Sequence, residues 1–284
     1  MSSRIYIYRL FLAVLLVTGC AQKEITPDED HTGCTAGNEA MITQPYMAVD
    51  LGLSVKWGER NIGAVVPADY GDYFTWGDID IHYEAGYAQN ADDVTWNPGK
   101  VGYVRETYRF IDEGSWLSKY CTSLECGPMD GAGILSYEDD VANVRLGEKW
   151  RIPTEKEWCE LSDPENCSWT WTIMDGVGGY RVQSRKEGFT DRWIFLPAAG
   201  ERVGCVLFDL GSCGSYWAST VYRIYPYFAW GFDFSKDYRY RCRSYRYYGR
   251  TVRPVLGEED PDPEDYHYKD VGGVSVENEG FEYR

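Results

Sequence analysis

Hydrophobic and polar positions along this chain alternate in short runs more often than they recur at helical spacing. Phe228, Trp230, Phe232 and Phe234 fall on one side of an alternating run whose other side carries Tyr227, Gly231 and Asp233, the period of a half-buried strand. The four aromatic positions are expected in the core. Val49–Trp57, Trp169–Trp171, Tyr180–Ser184 and Trp193–Leu196 are β-branched or aromatic, and Gly176–Gly179 supplies a turn. Gly71–Gly77 reads as one more strand with a turn.

Helical signals are confined to two places. Ser136 can cap a helix with Asp139 at the third position, and Val141, Val144 and Arg145 follow before Gly147 ends it. Glu138, Asp139 and Asp140 then occupy the N-terminal turn, where the helix dipole favours carboxylates. Calcium binding by that trio, with Asp130 nearby, is the sharper alternative. Thr154-Glu-Lys-Glu157 is a capping box behind Pro153, which forces an extended entry, so a short helix is expected from Glu155 to about Leu161 with Trp158 and Leu161 inward. Just ahead, Trp150-Arg151-Ile152-Pro153 sets a cation between apolar neighbours, a pattern that suits a donor to backbone carbonyls rather than a catalytic group. Few helices among many short strands predict an α+β domain. Residues 78–133 carry the least pattern and are long enough for functional loops.

The ends of the chain lack periodicity. Arg4 and Arg9 precede an apolar run from Leu10 to Val17 and then Thr18-Gly19-Cys20. The run is too short to span about 30 Å of hydrocarbon, and small residues ahead of a cysteine fit a lipoprotein signal over 1–19, cleaved before a lipidated Cys20. Ala21 after the cysteine resembles outer-membrane sorting in bacterial lipoproteins, and Glu24, Asp28, Glu29 and Asp30 resemble surface-export signals. Residues 20–44 read as an acidic tether. Beyond Leu256, the run Gly257–Asp265 is acidic with two prolines, so 257–284 is expected to be an acidic, largely disordered tail, although Val271–Tyr283 fits a further strand as well. A single domain over 45–256 remains.

Removing the signal leaves 26 basic against 45 acidic residues, a charge of −19, which disfavours nucleic acid as a partner. Cysteine usage fits export. With Cys20 lipidated, Cys34, Cys121, Cys126, Cys159, Cys167, Cys205, Cys213 and Cys242 remain, and eight cysteines allow 105 pairings. Short loops make 121 with 126, 159 with 167 and 205 with 213 the simplest guesses. A zinc site is not expected, because no C-x-x-C occurs and His31, His82 and His267 are scattered.

One stretch departs from the acidic background. Tyr222–Tyr248 holds eight of the 24 tyrosines and five arginines within 27 residues. Tyr and Trp give stiff amphipathic contact area, and Arg adds forked donors and a stackable cation, a composition suited to recognition. The four guanidiniums between Tyr238 and Tyr248 cannot all be buried without partners. The candidate ligand-binding residues are Trp217, Tyr222, Arg223, Tyr225, Tyr238, Arg239, Tyr240, Arg241, Arg243, Tyr245 and Arg246. Trp150, Arg151, Pro153, Thr154, Glu157, Trp158 and Arg253 are read as structural. No catalytic residue is assigned, since His82 is the only histidine inside the domain and no carboxylate pair stands out.

Seven blocks in order carry a resemblance: Val49–Trp57, Tyr70–Gly77, Glu138–Asp140, Trp150–Trp158, Phe195–Gly200, Tyr216–Ser219 and Tyr247–Pro254. Together they resemble the Fibrobacter succinogenes major paralogous domain of Bacteroidetes lipoproteins, over about 49–255. The resemblance implies a C-type-lectin-like fold of the branch shared with formylglycine-generating enzymes, whose Arg-(Leu/Ile)-Pro-Thr-x-x-Glu-Trp block is echoed by Arg151–Trp158. The late cysteine pair that holds copper in those enzymes is absent, as are the calcium-binding Glu-Pro-Asn and Trp-Asn-Asp blocks of sugar-binding lectins. A closer parallel is with retroelement variable proteins, which display Tyr, Arg, Asn and Ser on a lectin-like scaffold. The expectation is therefore a non-enzymatic, cofactor-free lipoprotein of the outer membrane, binding a glycan or a protein at the cell surface. The alternative is a structural or accessory subunit of a surface assembly, such as an adhesin tip.

Overall fold

The computed structural model describes residues 45–84, 94–112, 116–147 and 149–258. The signal, Cys20, the tether, Cys34 and the tail past Glu258 lie outside the described residues. Contacts divide the chain into residues 1–42 and 43–284, and every described residue belongs to the second unit.

Along the chain, β1 (Ala48–Val49) and β2 (Lys56–Gly58) are followed by loops and two 3-10 turns, at Arg105–Thr107 and Tyr137–Asp139. Then come α1 (Val141–Leu146), β3 (Trp150–Arg151), α2 (Glu155–Ser162), β4 (Cys167–Met174), β5 (Val177–Ser184) and β6 (Trp193–Pro197). The hairpin of β7 (Glu201–Val203) and β8 (Val206–Phe208) precedes β9 (Cys213–Val221), β10 (Phe228–Ser235), β11 (Arg239–Tyr245) and β12 (Val255–Leu256). The strands form sheets in the orders β1-β2-β12-β3, β4-β5-β6, β7-β8 and β11-β10-β9, paired antiparallel throughout. This is an α+β domain of short antiparallel strands.

Local chemistry explains most boundaries. The Thr154 hydroxyl accepts from the Glu157 amide at 3.3 Å while the Glu157 carboxylate accepts from the Thr154 amide at 2.8 Å, so α2 starts on a reciprocal cap. The first helix differs from its expectation. Ser136 makes no side-chain cap; the chain forms a single 3-10 turn, and Asp140 caps α1 by accepting from the Ala142 and Asn143 amides at 2.8 and 3.3 Å. Asp140 also takes the Ile152 amide at 2.7 Å, and that tertiary bond fixes where the helix begins. The β4–β5 turn is made by Asp175 and Gly176, at φ of 51° and 84°, as a two-residue hairpin turn needs. Gly178 and Gly179, expected in that turn, lie inside β5.

Two expected strands are not continuous. Val49–Trp57 folds as two short strands around a turn, with Gly52 at φ 72° and its amide held by the Asp50 carboxylate at 3.0 Å. Leu51 and Val55 still point into the core from that turn, which is why the apolar signal was present without a strand. Gly71–Gly77 makes only one bridge, Phe74 to Arg250, and its consecutive Tyr73, Phe74, Thr75 and Trp76 are all buried.

The core is aromatic. Trp158 stacks on Phe232 with centroids 5.0 Å apart and rings 4° from parallel, and meets Trp57 edge-on at 4.8 Å. The indole N–H of Trp158 donates to the Trp217 carbonyl at 3.1 Å, that of Trp217 to Phe74 at 2.8 Å, and that of Trp76 to Ala218 at 2.8 Å. Trp57 and Arg151 both pair with Val255, so β12 closes the domain between its first strand pair and the entry to α2. Arg253, fully buried, donates to Asn61, Gly58 and Phe195 at 2.7–3.0 Å and ties three loops together. Arg151 forks onto Glu157 at 2.8 and 2.5 Å and also bonds the Gly257 and Glu258 carbonyls. All seven described cysteines are free thiols, so none of the three guessed pairs is formed. No helix among the described residues is long and apolar enough to cross a membrane.

Candidate ligand-binding face

β11 is an edge strand, hydrogen-bonded only to β10 within its sheet. Its register sets Tyr245 against Phe228, Arg243 against Trp230, Arg241 against Phe232 and Arg239 against Phe234. Because side chains alternate along a strand, Arg239, Arg241, Arg243 and Tyr245 share one face, and Tyr240, Cys242 and Ser244 share the other.

The arginines of the first face lie over aromatic rings. The Arg239 guanidinium is 5.5 Å from the centroid of Trp169, Arg241 is 4.9 Å from Trp230, and Arg243 is 5.4 Å from Tyr222. Arg241 is also ion-paired with Glu155 in the first turn of α2. Arg243 donates to the Tyr222 hydroxyl at 3.2 Å. Tyr245 rests on Phe228 at 4.3 Å and stacks on Tyr247 at 5.0 Å. The row thus runs along β11 beside rings from β4, β10 and the loop at Tyr222.

The opposite face is anchored by a buried cation. Gly231 leaves room for Arg250, whose Nη1 would lie 2.8 Å from a β-carbon added there. Arg250 pairs with Asp233 at 2.9 Å and with Glu201, and its Nη1 is 3.0 Å from the Cys242 sulfur. Burial opposes its charge, but Asp233, Cys242 and Glu201 together hold its pKa well above the ordinary range. Burial raises the Glu201 carboxyl and the Cys242 thiol, so Cys242 is a poor nucleophile. Along the row Arg239 and Arg243 are exposed while Arg241 and Tyr245 are half-buried, and on the opposite face Tyr240 is exposed beside the cluster.

Tyr225, Tyr238 and Tyr240 are about half exposed, at 57%, 45% and 47%, and Arg223, Arg239 and Arg243 are exposed. Tyr238 and Tyr240 sit 5.4 Å apart at one end of the row, and Tyr225 stacks on Tyr222 at 6.1 Å near the other. Three expected site residues are buried instead. Trp217 is 1% exposed in β9, a strand buried along most of its length, and its indole N–H is spent on the Phe74 carbonyl. Arg246 is fully buried, because it follows the last residue of β11 where the chain turns inward; it donates to Phe228 and Tyr120 carbonyls at 3.2 and 3.0 Å and lies over Trp76 at 4.7 Å. Tyr222 is also buried, at 8%, and serves as the ring under Arg243 rather than as a free contact.

Residues missed as part of the face are Trp169, Phe228, Trp230 and Glu155. Phe228 and Trp230, expected wholly in the core, are half-buried at a bulge where β10 pairing jumps from Val221 opposite Ala229 to Trp217 opposite Gly231. Phe232 and Phe234 beyond the bulge are buried. The acidic trio is committed elsewhere: Asp139 pairs with Arg109 at 2.8 Å and Lys119 at 2.5 Å, Glu138 with Lys119 at 3.0 Å, and Asp140 caps α1. Among the described residues no group of three or more His, Cys, Asp or Glu side chains could hold a metal ion. An open groove of about 440 Å³ lies beyond the Tyr245 end, between Arg105, Glu106, Phe208 and Tyr247. No protein-family model, curated protein or solved structure matches the chain.

Proposed function

We propose that this chain is a ligand-binding module that engages its partner, a glycan or a protein, through the exposed row of β11 and the tyrosines flanking it. The observation that carries this reading is the row itself: arginines at every second position of an edge strand, the outer two exposed and the middle one half-buried, each beside an aromatic ring. Ring contact holds long side chains in place before a ligand arrives, which lowers the entropy lost on binding. A non-enzymatic role fits the chemistry, because the described cysteines with raised pKa values are poor nucleophiles and His82 is buried against Asp78 and Tyr103. In this reading the α+β domain is a C-type-lectin-like domain of the major paralogous type, tethered through a lipid on Cys20 to the outer membrane and facing outward.

The test is a glycan and protein array probed with the protein and with an Arg239/Tyr240/Arg243 triple-alanine variant. Signals lost in a variant that keeps its melting temperature within a few degrees support recognition by this face. A folded protein with a blank array overturns it in favour of a subunit whose face packs against another component.

A further inference from the structure

Resting on that reading, we infer that the ligand is an acidic polysaccharide, gripped through carboxylate or sulfate groups by Arg239 and Arg243. A guanidinium lying on a ring uses its flat face for the ring and leaves its in-plane N–H edges for a planar or tetrahedral anion. The row already contains one such contact. Arg241, at its centre, has its guanidinium carbon 4.9 Å from the Trp230 centroid and binds the Glu155 carboxylate through Nη1. Arg239 and Arg243 repeat the ring contact on either side, near Trp169 and Tyr222, are exposed, and make no ion pair among the described residues; Arg243 gives one N–H to the Tyr222 hydroxyl at 3.2 Å, and a guanidinium carries four more. The flanking positions are four residues apart, about 13 Å at roughly 3.3 Å per residue, so one ligand reaching both must carry repeated negative charges.

The rings covered by arginine are not available to stack on a neutral sugar. One open ring, Tyr225, lies beyond Tyr222 and Arg243 at an end of the row, while Tyr238 and Tyr240 are open on the opposite face of β11, toward Cys213 and Asp233. Exposed guanidiniums along the row with an open ring beyond Arg243 match a polymer that carries both sugar rings and acid groups. The charge balance sharpens the choice, because a chain with a formal net charge of −17 disfavours a polyanion overall and leaves local positive charge such as this row to draw one in.

Titration calorimetry of the full-length protein against polygalacturonate, dextran sulfate, neutral dextran and polyglutamate, at low and high salt, tests this. Binding of polygalacturonate or dextran sulfate but not neutral dextran is expected, weakening with salt, and whichever of the two binds tells carboxylate from sulfate. Arg239→Gln/Arg243→Gln should weaken it at least a hundredfold with the melting temperature within a few degrees, and Arg239→Lys/Arg243→Lys at least tenfold, since charge remains but the fork is lost. Equal binding of neutral dextran, tighter binding of polyglutamate, no change in the glutamine pair, or no binding of any acidic sugar polymer would each overturn the inference. A neutral glycan or a protein captured on the array and lost in the triple-alanine variant would keep the broader reading while removing this one.

Discussion

Trp158 and Phe232 stack face to face, 5.0 Å between centroids and 4° from parallel, and this contact binds the capped helix α2 to the central strand of the β11-β10-β9 sheet. Phe232 is directly opposite Arg241 in the register and shares its face, so the helix packs beside the row on that face and supplies Glu155 at its rim. Trp158→Ala removes the stack, the edge contact with Trp57 and the bond to the Trp217 carbonyl. A loss of about 3 to 5 kcal/mol is expected, read by urea denaturation; Trp158→Phe should lose less, since a ring remains in the slot.

The fork between Arg151 and Glu157 should be worth more to the fold than its surface counterparts. Both partners are buried, and Glu157 additionally holds the Thr154 amide. Glu157→Ala leaves a buried cation without its carboxylate and should destabilise by about 3 to 5 kcal/mol, whereas Thr154→Ala, which removes half of the cap, should cost about 1 kcal/mol. Comparing the two by chemical denaturation separates the ion pair from the cap, and equal losses would refute the assignment.

Asp140 gives the domain a pH dependence of defined sign. Burial pushes its carboxyl up to about 6, against the pull of the Ile152, Asn143 and Ala142 amides. A folded pKa above the unfolded value of 3.8 means that the folded state binds the proton more tightly. The stabilisation from that proton is fully present below about 3.8 and is lost as pH rises through about 6, a change on the order of 3 kcal/mol. Unfolding free energies at pH 4, 5, 6 and 7 should therefore fall with rising pH more steeply in the natural protein than in Asp140→Asn. Parallel curves would show that Asp140 titrates normally.

Elements whose determinants are local were legible in the sequence. Pro153, Thr154 and Glu157 define the start of α2 with no help from elsewhere, and the strands around Trp169, Tyr180 and Trp193 follow from β-branched and aromatic runs. The start of α1 was not, because the Asp140 carboxylate is drawn to the Ile152 amide twelve residues away. At the site, alternation separated Gly231 and Asp233 from the aromatic face of β10 correctly. Composition then overreached at both ends of the stretch. Trp217 belongs to β9, a strand buried on both faces along most of its length, and Arg246 has the opposite parity to 239, 241 and 243, a signal present in the sequence. Glu155 could be paired with Arg241 only once the helix was placed beside β11.

That parity yields a direct contrast between two arginines three residues apart. Arg243 is exposed, its cation on Tyr222, and its removal takes away an exposed hydrogen bond and a ring contact. Arg243→Ala should leave the melting temperature within a few degrees, the behaviour of an exposed group. Arg246 is fully buried, bridges the Phe228 and Tyr120 carbonyls and fills the space over Trp76. Arg246→Ala takes the donor from the Tyr120 carbonyl, at about 1 to 3 kcal/mol, leaves the Phe228 carbonyl with only the Tyr222 amide, and opens a void beside an indole, so a loss of several kcal/mol and a drop in melting temperature of ten degrees or more are expected. Thermal unfolding followed by circular dichroism reads both variants in one experiment. Similar melting temperatures for the two would mean that β11 does not end where its register says, and the assignment of Arg239 and Arg243 to a common outward face would fall with it.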